Sequence, residues 1–256
     1  MLREVLAPNA SPMTLDGTRT YLIGNARVAV IDPGPGDPGH LDRLTALIGE
    51  ASCVGVVVTH THADHAAGAP GLAARLGATA GSRGEGTLAD GDRIDTDAGP
   101  LIAVATPGHT QDHTAFHWPA AGAVFCGDLM MGGLDTALVA PPEGDLADYL
   151  LSLERIRDLN PRIIYPAHGP SFESAHAAID SYISHRRDRE RQVLESLAAG
   201  ADDVEAIVER VYGPGLPPEF RGVARGAVHA YLDHLEKHGR LPRLRIGGRS
   251  PAGTEQ

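Results

Sequence analysis

Apolar and polar positions change period several times along the chain, and the changes outline its elements. Short runs rich in β-branched residues predict strands: Tyr21 to Ile23, Arg27 to Ile31, Val54 to Val58, Leu101 to Ala105, Ala123 to Cys126 and Arg162 to Tyr165. Gly24-Asn25 joins the first two and is a candidate for an I′-type turn in reversed order. Residues 86–118 alternate short strands with Gly and Asp turns. Helical spacing covers Leu41 to Ile48 and Leu72 to Leu76, the latter ended by Gly77. A loop of Met, Gly and Pro residues runs from Met130 to Gly144; Asp145 then caps a helix that Asn160-Pro161 stops. Past Ser174 only helices are predicted: Tyr182 to Leu197, a second from the Ala201-Asp202-Asp203 cap to Tyr212, and a third from Phe220 to His238. Leu241 to Ile246 has the composition of a small wing, and the Gly/Ser/Pro-containing tail, residues 248–256, reads as disordered.

Two successions of strands with helices outside them fit two sheets packed face to face, which by pattern alone is α/β or α+β. The 256 residues suffice for one large domain and a small one. No apolar stretch approaches the roughly 18 residues of a membrane span, and the N-terminus lacks a hydrophobic signal core, so a cytoplasmic location without membrane partners is expected. Cys53 and Cys126 lie in apolar runs and read as reduced core thiols. The net charge of −11 is unevenly shared: residues 1–180 carry 10 Lys and Arg against 22 Asp and Glu. That balance is unlike the basic footprint of a nucleic-acid binder.

The candidate chemistry follows the strand ends. Val54 to Val58 runs into Thr59-His60-Thr61-His62-Ala63-Asp64-His65, and His109, Asp128 and His168 each follow a later strand run beside a turn. Imidazole and carboxylate suit zinc or another first-row divalent ion. In an extended segment His60 and His62 share a side, whereas Asp64 and His65 come after the chain has turned. Two ions about 3.5–4 Å apart would lower the pKa of a shared water toward 7 and clamp the attacked oxygen, so hydroxide serves as nucleophile without a Ser or Cys. Asp64 is placed to orient it as a base would. Asp32, at a strand end before Pro33-Gly34, is a candidate to orient a ligand imidazole, with turn capping as the alternative. His113, four residues past His109, is a candidate for leaving-group protonation or substrate contact, with a structural role as the alternative.

The HxHxDH cluster, with His109, Asp128 and His168 following in order, resembles the metallo-β-lactamase superfamily over about residues 10–180. The resemblance implies an α+β, four-layer αβ/βα sandwich. It implies His60, His62 and His109 on one metal, Asp64, His65 and His168 on a second, and Asp128 bridging a dinuclear zinc site, with manganese or iron as other occupants. The segments Ser11 to Thr18 and Asp148 to Leu153, with the C-terminal helices, are similar to the beta-lactamase-like protein 2 group within it. That similarity implies a catalytic domain over residues 1–175 and a winged-helix-like domain over residues 176–247.

These features set a metal-dependent hydrolase acting on a thioester or related acyl substrate slightly ahead of an endoribonuclease cleaving single-stranded RNA. Arg186, Arg187, Arg189 and Arg191 form a basic patch that favours RNA, but Asp188 and Glu190 interleave it. Lactone or lactam hydrolysis is a third reading, and a nucleic-acid-binding regulator with structural metal is the non-enzymatic one. A homodimer contact is a further role open to the helical module.

Overall fold

The computed structural model describes residues 1–134 and 136–241. Strands β1 (Leu2–Leu6), β2 (Arg19–Ile23), β3 (Arg27–Ile31), β4 (Ser52–Val57) and β5 (Ala80–Gly81) form one sheet in that order. Strands β6 (Arg93–Thr96), β7 (Gly99–Ala105), β8 (Thr114–Trp118), β9 (Ala123–Gly127) and β10 (Ile163–Pro166) form a second, also in chain order. Both sheets are mixed. β1 to β3 pair antiparallel and β3 to β5 parallel; β6 to β9 pair antiparallel, with β10 parallel to β9.

The period-2 geometry of a strand sends neighbouring side chains to opposite faces, and it sorts this core into three layers. Tyr21, Ile23, Ala29, Ile31 and Val57 of the first sheet meet Leu101, Ala103, Phe116 and Phe125 of the second. The intervening residues Leu22, Val28, Val30 and Val56 face the other way, onto α1 (Pro38–Ile48) and α3 (Ala69–Leu76). On the far side Val104, Ala115, Val124 and Ile164 pack against α4 (Leu146–Asp158), α5 (Ala175–Ala198), α6 (Val204–Tyr212) and α7 (Pro218–Lys237). The order is therefore helices, sheet, sheet, helices. Because strand residues with both faces covered are apolar at successive positions, they read in the sequence as continuous runs rather than as alternation.

Three details differ from the sequence pattern. β1 was not outlined by it; only Val5 of that strand is fully buried. Of the Gly24-Asn25 pair only Gly24 takes a positive φ, 112°, so the I′ turn does not form. Instead the Asp97 carboxylate accepts the N–H groups of Asn25, Ala26 and Arg27 at 2.8, 3.0 and 3.2 Å. α5 also starts seven residues before Tyr182, at Ala175. α5 to α7 share one apolar cluster with α4 and the second sheet. Residues 242–246 of the expected wing and the tail, residues 248–256, lie outside the described residues. No helix among the described residues is long and apolar enough to cross a membrane.

Candidate metal centre

The C-terminal ends of β3, β4, β7, β9 and β10 point to one rim, and the chemistry-bearing loops leave from it. After β4 the chain bends at Thr59 and His60, passes through His62, and makes the single turn α2 (Ala63–Ala66), which carries Asp64 and His65. His109 follows β7, Asp128 follows β9 and His168 follows β10. Two glycines permit the close approaches. A Cβ on Gly108 (φ 133°) would sit 2.3 Å from the Tyr149 backbone of α4. One on Gly127 (φ 51°) would sit 2.6 Å from Thr59 Oγ1 and 2.8 Å from His113 Nε2.

The structure brings all seven sequence candidates together. His62 Nδ1 lies 2.8 Å from His60 Nε2 and 3.2 Å from His109 Nε2, so three ring nitrogens converge. Beside them, His168 Nε2 lies 3.3 Å and His65 Nε2 3.5 Å from Asp64 Oδ2. Asp128 stands between the groups: Oδ1 is 3.5 Å from His65 Nε2 and 3.3 Å from His168 Nε2, and Oδ2 is 3.8 Å from His109 Nε2.

The outward ring nitrogens decide what this cluster can hold. His109 Nδ1 donates to Leu138 O at 2.7 Å and His168 Nδ1 to Gly17 O at 3.2 Å. His65 Nδ1 donates to Asp32 Oδ2 at 3.0 Å, and His62 Nε2 to Glu143 Oε2 at 3.0 Å. His60 Nδ1 donates to Thr59 Oγ1 at 3.1 Å, since that hydroxyl spends its own proton on Asp32 at 2.9 Å. Carbonyls and carboxylates only accept. Each of the five rings therefore turns one N–H outward and its other nitrogen inward, the arrangement of metal-ligating histidine. Inside, His65 Nε2, His168 Nε2 and Asp128 Oδ1 are buried without a hydrogen-bond partner. A cation among them is the group that satisfies lone pairs and carboxylate at once, so the residues fit one.

The charges agree. Burial holds His60 well below the ordinary imidazole pKa. Burial opposes a charge on His65 too, but Asp128 and Asp32 outweigh it and raise its pKa well above the ordinary value. For Asp128 burial favours the protonated acid, and His65 with His168 overrides it, holding the carboxylate far below its usual range.

Asp32 is 1 % exposed and takes a strained φ of 51°. Its carboxylate accepts the Thr59 N–H at 2.7 Å as well as the Thr59 hydroxyl and His65, so it fixes both the strand end and a ring. His113 departs from the leaving-group role considered from sequence. It is fully buried, its Nε2 accepts the Asp128 N–H at 3.2 Å, and its Nδ1 donates to Thr106 Oγ1 at 2.8 Å. Burial, then the neighbouring His109, pushes its pKa down to about 3. Neither nitrogen is left for a substrate; the ring positions Asp128. Sequence reasoning missed Glu143, Leu138 O and Gly17 O, which aim three of the imidazoles. Two of these are backbone carbonyls with no residue code, and Glu143 sits in a loop where an acid ordinarily means solvent.

The basic stretch of α5 does not form one surface. Arg186 is buried, Arg189 bonds Val211 O and Gln192 Oε1, and Arg191 pairs with Asp188 and Glu195.

Comparison with known proteins gives the family. The family profile described as Metallo-beta-lactamase superfamily matches residues 13–96 and 82–168. A "Beta-lactamase-like protein 2 homolog" of Caenorhabditis elegans is 32% identical over 256 residues, covering 92% of this chain and 84% of that protein. An "Atrochrysone carboxyl ACP thioesterase" of Aspergillus chevalieri is 32% identical over 228 residues, covering 82% and 72%. Among solved structures, a metallo-beta-lactamase family protein from Thermus thermophilus superposes with a TM-score of 0.73 at 20% identity, covering 93% of this chain and 94% of that one, which shows the shared fold. The chain belongs to the metallo-beta-lactamase superfamily and is a metal-dependent hydrolase of it.

Proposed function

We propose that the protein hydrolyses an acyl thioester, or a related acyl substrate, with two divalent ions, zinc foremost and manganese or iron as other occupants. The observation that carries the metal reading is the set of five imidazoles, each with one N–H turned outward and its other nitrogen inward. His60, His62 and His109 would hold one ion and Asp64, His65 and His168 the other, and Asp128 would serve both. Bound there, the ions would supply a water of lowered pKa and polarise the scissile carbonyl.

The chain's own groups do the rest. Asp64 is the carboxylate most open to solvent in the cluster, with 30 % of its side chain exposed, so it can orient the attacking water and take its proton. Asp32, Thr59, Glu143 and the carbonyls of Leu138 and Gly17 hold the rings in one orientation. His113, the sequence candidate for leaving-group protonation, is turned to Asp128 and Thr106 and does not stand ready for that role. A thiolate leaves without such help, which favours a thioester over an alkyl ester. The thioesterase relative supports the same substrate class.

The test is turnover by zinc-loaded protein of N-acetylcysteamine thioesters and, in parallel, of labelled single-stranded RNA, with Asp64→Ala as control. Thioester hydrolysis lost by orders of magnitude in the variant is the expected result. RNA cleavage lost in the variant, with thioesters untouched, would replace this reading by a ribonuclease. Neither activity would refute the acyl reading and move attention to lactones.

A further inference from the structure

Met131, Leu134 and residues 136–138, with Pro12, Met13 and helices α5 to α7, line a cavity of about 280 Å³ that the metal chemistry does not use. Its volume lies near the lower end of small-molecule sites. Most of its wall is apolar, with Met131, Leu134, Leu138 and Phe220 among the lining residues. Two lining residues are arginines, Arg186 and Arg189, and no described lining residue is an acid.

Arg186 is 4 % exposed. Its guanidinium donates to Ala137 O and lies 4.7 Å over the Tyr149 ring. Both partners are neutral, and no described carboxylate pairs with it. Its Nε is buried without a hydrogen-bond partner, and the Tyr231 hydroxyl, also at the cavity, faces the guanidinium. Arg189 donates to Val211 O, Gln192 Oε1 and His185 Nε2, and lies 4.8 Å over the Tyr212 ring. A buried cation without an anion is unfavourable. An apolar wall bearing such a cation matches a ligand that is apolar with one acidic group. Asp135, between two lining residues in the chain, lies outside the described residues.

We propose that this cavity receives the acyl group of the substrate, an aromatic or aliphatic body whose carboxylate, remote from the scissile carbonyl, reaches Arg186 and Tyr231. Naming the occupant an acyl group rests on the hydrolase reading; the recognition of an apolar anion does not. The cavity adjoins the metal centre at Leu138, which lines the one and whose carbonyl accepts the His109 Nδ1–H of the other.

The experiment follows displacement of 1-anilinonaphthalene-8-sulfonate fluorescence from zinc-loaded protein by 2-naphthoate and by its methyl ester. Wild-type protein is expected to bind the acid at least about tenfold tighter than the ester, in the presence of zinc and after chelation. Asp64→Ala should keep that preference. Arg186→Met should abolish it while the ester still binds, and Ala227→Leu, which fills the cavity, should weaken both ligands about tenfold. If the arginine variant does not fold, Tyr231→Phe and the cavity-filling variant carry the test, with the preference reduced severalfold in the former. Equal binding of acid and ester, a preference that survives loss of Arg186, one that vanishes on chelation, or one that appears only in Asp135→Asn would overturn the proposal. Thioester turnover without the preference sinks the pocket alone. The preference without turnover sinks the hydrolase substrate and leaves the pocket.

Discussion

Asp32 occupies a backbone conformation, φ 51°, that few side chains accept, and asparagine is one that does. Asp32→Asn therefore keeps the shape and removes the charge behind His65. We expect binding of the ion proposed at His65 to weaken about 10- to 100-fold, with the ion proposed at His60, His62 and His109 unchanged, read by chelator competition. Loss at both positions, or at neither, would show that Asp32 serves the turn rather than the ring. His113→Ala makes a different point. A group that positions Asp128 should matter equally for every substrate, so kcat/KM should fall by the same factor for a thioester and for the alkyl ester of the same acid. A larger loss on the ester would return His113 to the leaving group. The seven candidate ligands were legible because four of them crowd into six residues and the others follow strand runs. Glu143 was not, since its meaning comes only from an 81-residue contact with His62.

At the scale of elements, the junction of the β7 loop with α4 is held by the absence of a side chain. Gly108→Ala would drive a methyl group into the Tyr149 backbone. The result should be a loss of about 2 kcal/mol or more, with His109 displaced. A Tm within a degree of wild type would show that α4 yields easily. Elements with both faces buried, β3, β4 and β9, could be read as unbroken apolar runs. β1 could not, because a strand with one fully buried residue resembles a loop. The Gly24-Asn25 connection misled for a related reason: a local pair suggested a local turn, and the carboxylate that shapes it, Asp97, comes 72 residues later.

For the whole molecule, acid should act through buried neutral imidazoles as well as through metal loss. His40 is 3 % exposed, and its Nε2 lies 2.9 Å from the Thr20 hydroxyl, which gives its own proton to Asp32 O, so the ring donates. Burial and then the charge of Arg43 lower its pKa. The unfolded chain takes up a proton near the ordinary value of about 6.5 and the folded chain does not. The stability this neutral ring contributes is thus full above about pH 6.5 and is lost as pH falls through that value toward the lowered one. In chelated protein, His40→Gln should show a shallower decline of Tm between about pH 6.5 and 5 than wild type. Parallel declines would count against it. Two face-to-face sheets with helices outside them could be read from the strand pattern, but the four-layer αβ/βα assignment came only by resemblance, because periodicity finds strands but not which sheet they join.

The cluster also has an order in time. The proposed ligands run from His60 to His168, and the last is held by the first sheet, through Gly17 O on its ring and Arg19 N–H on Ala167 O at 2.8 Å. A ribosome delivers the HxHxDH segment early, His109 and Asp128 next, and His168 only when both sheets have been synthesised. A nascent chain can thus present a three-nitrogen site long before it presents a complete one, and the strand that finishes the second sheet also closes the metal centre.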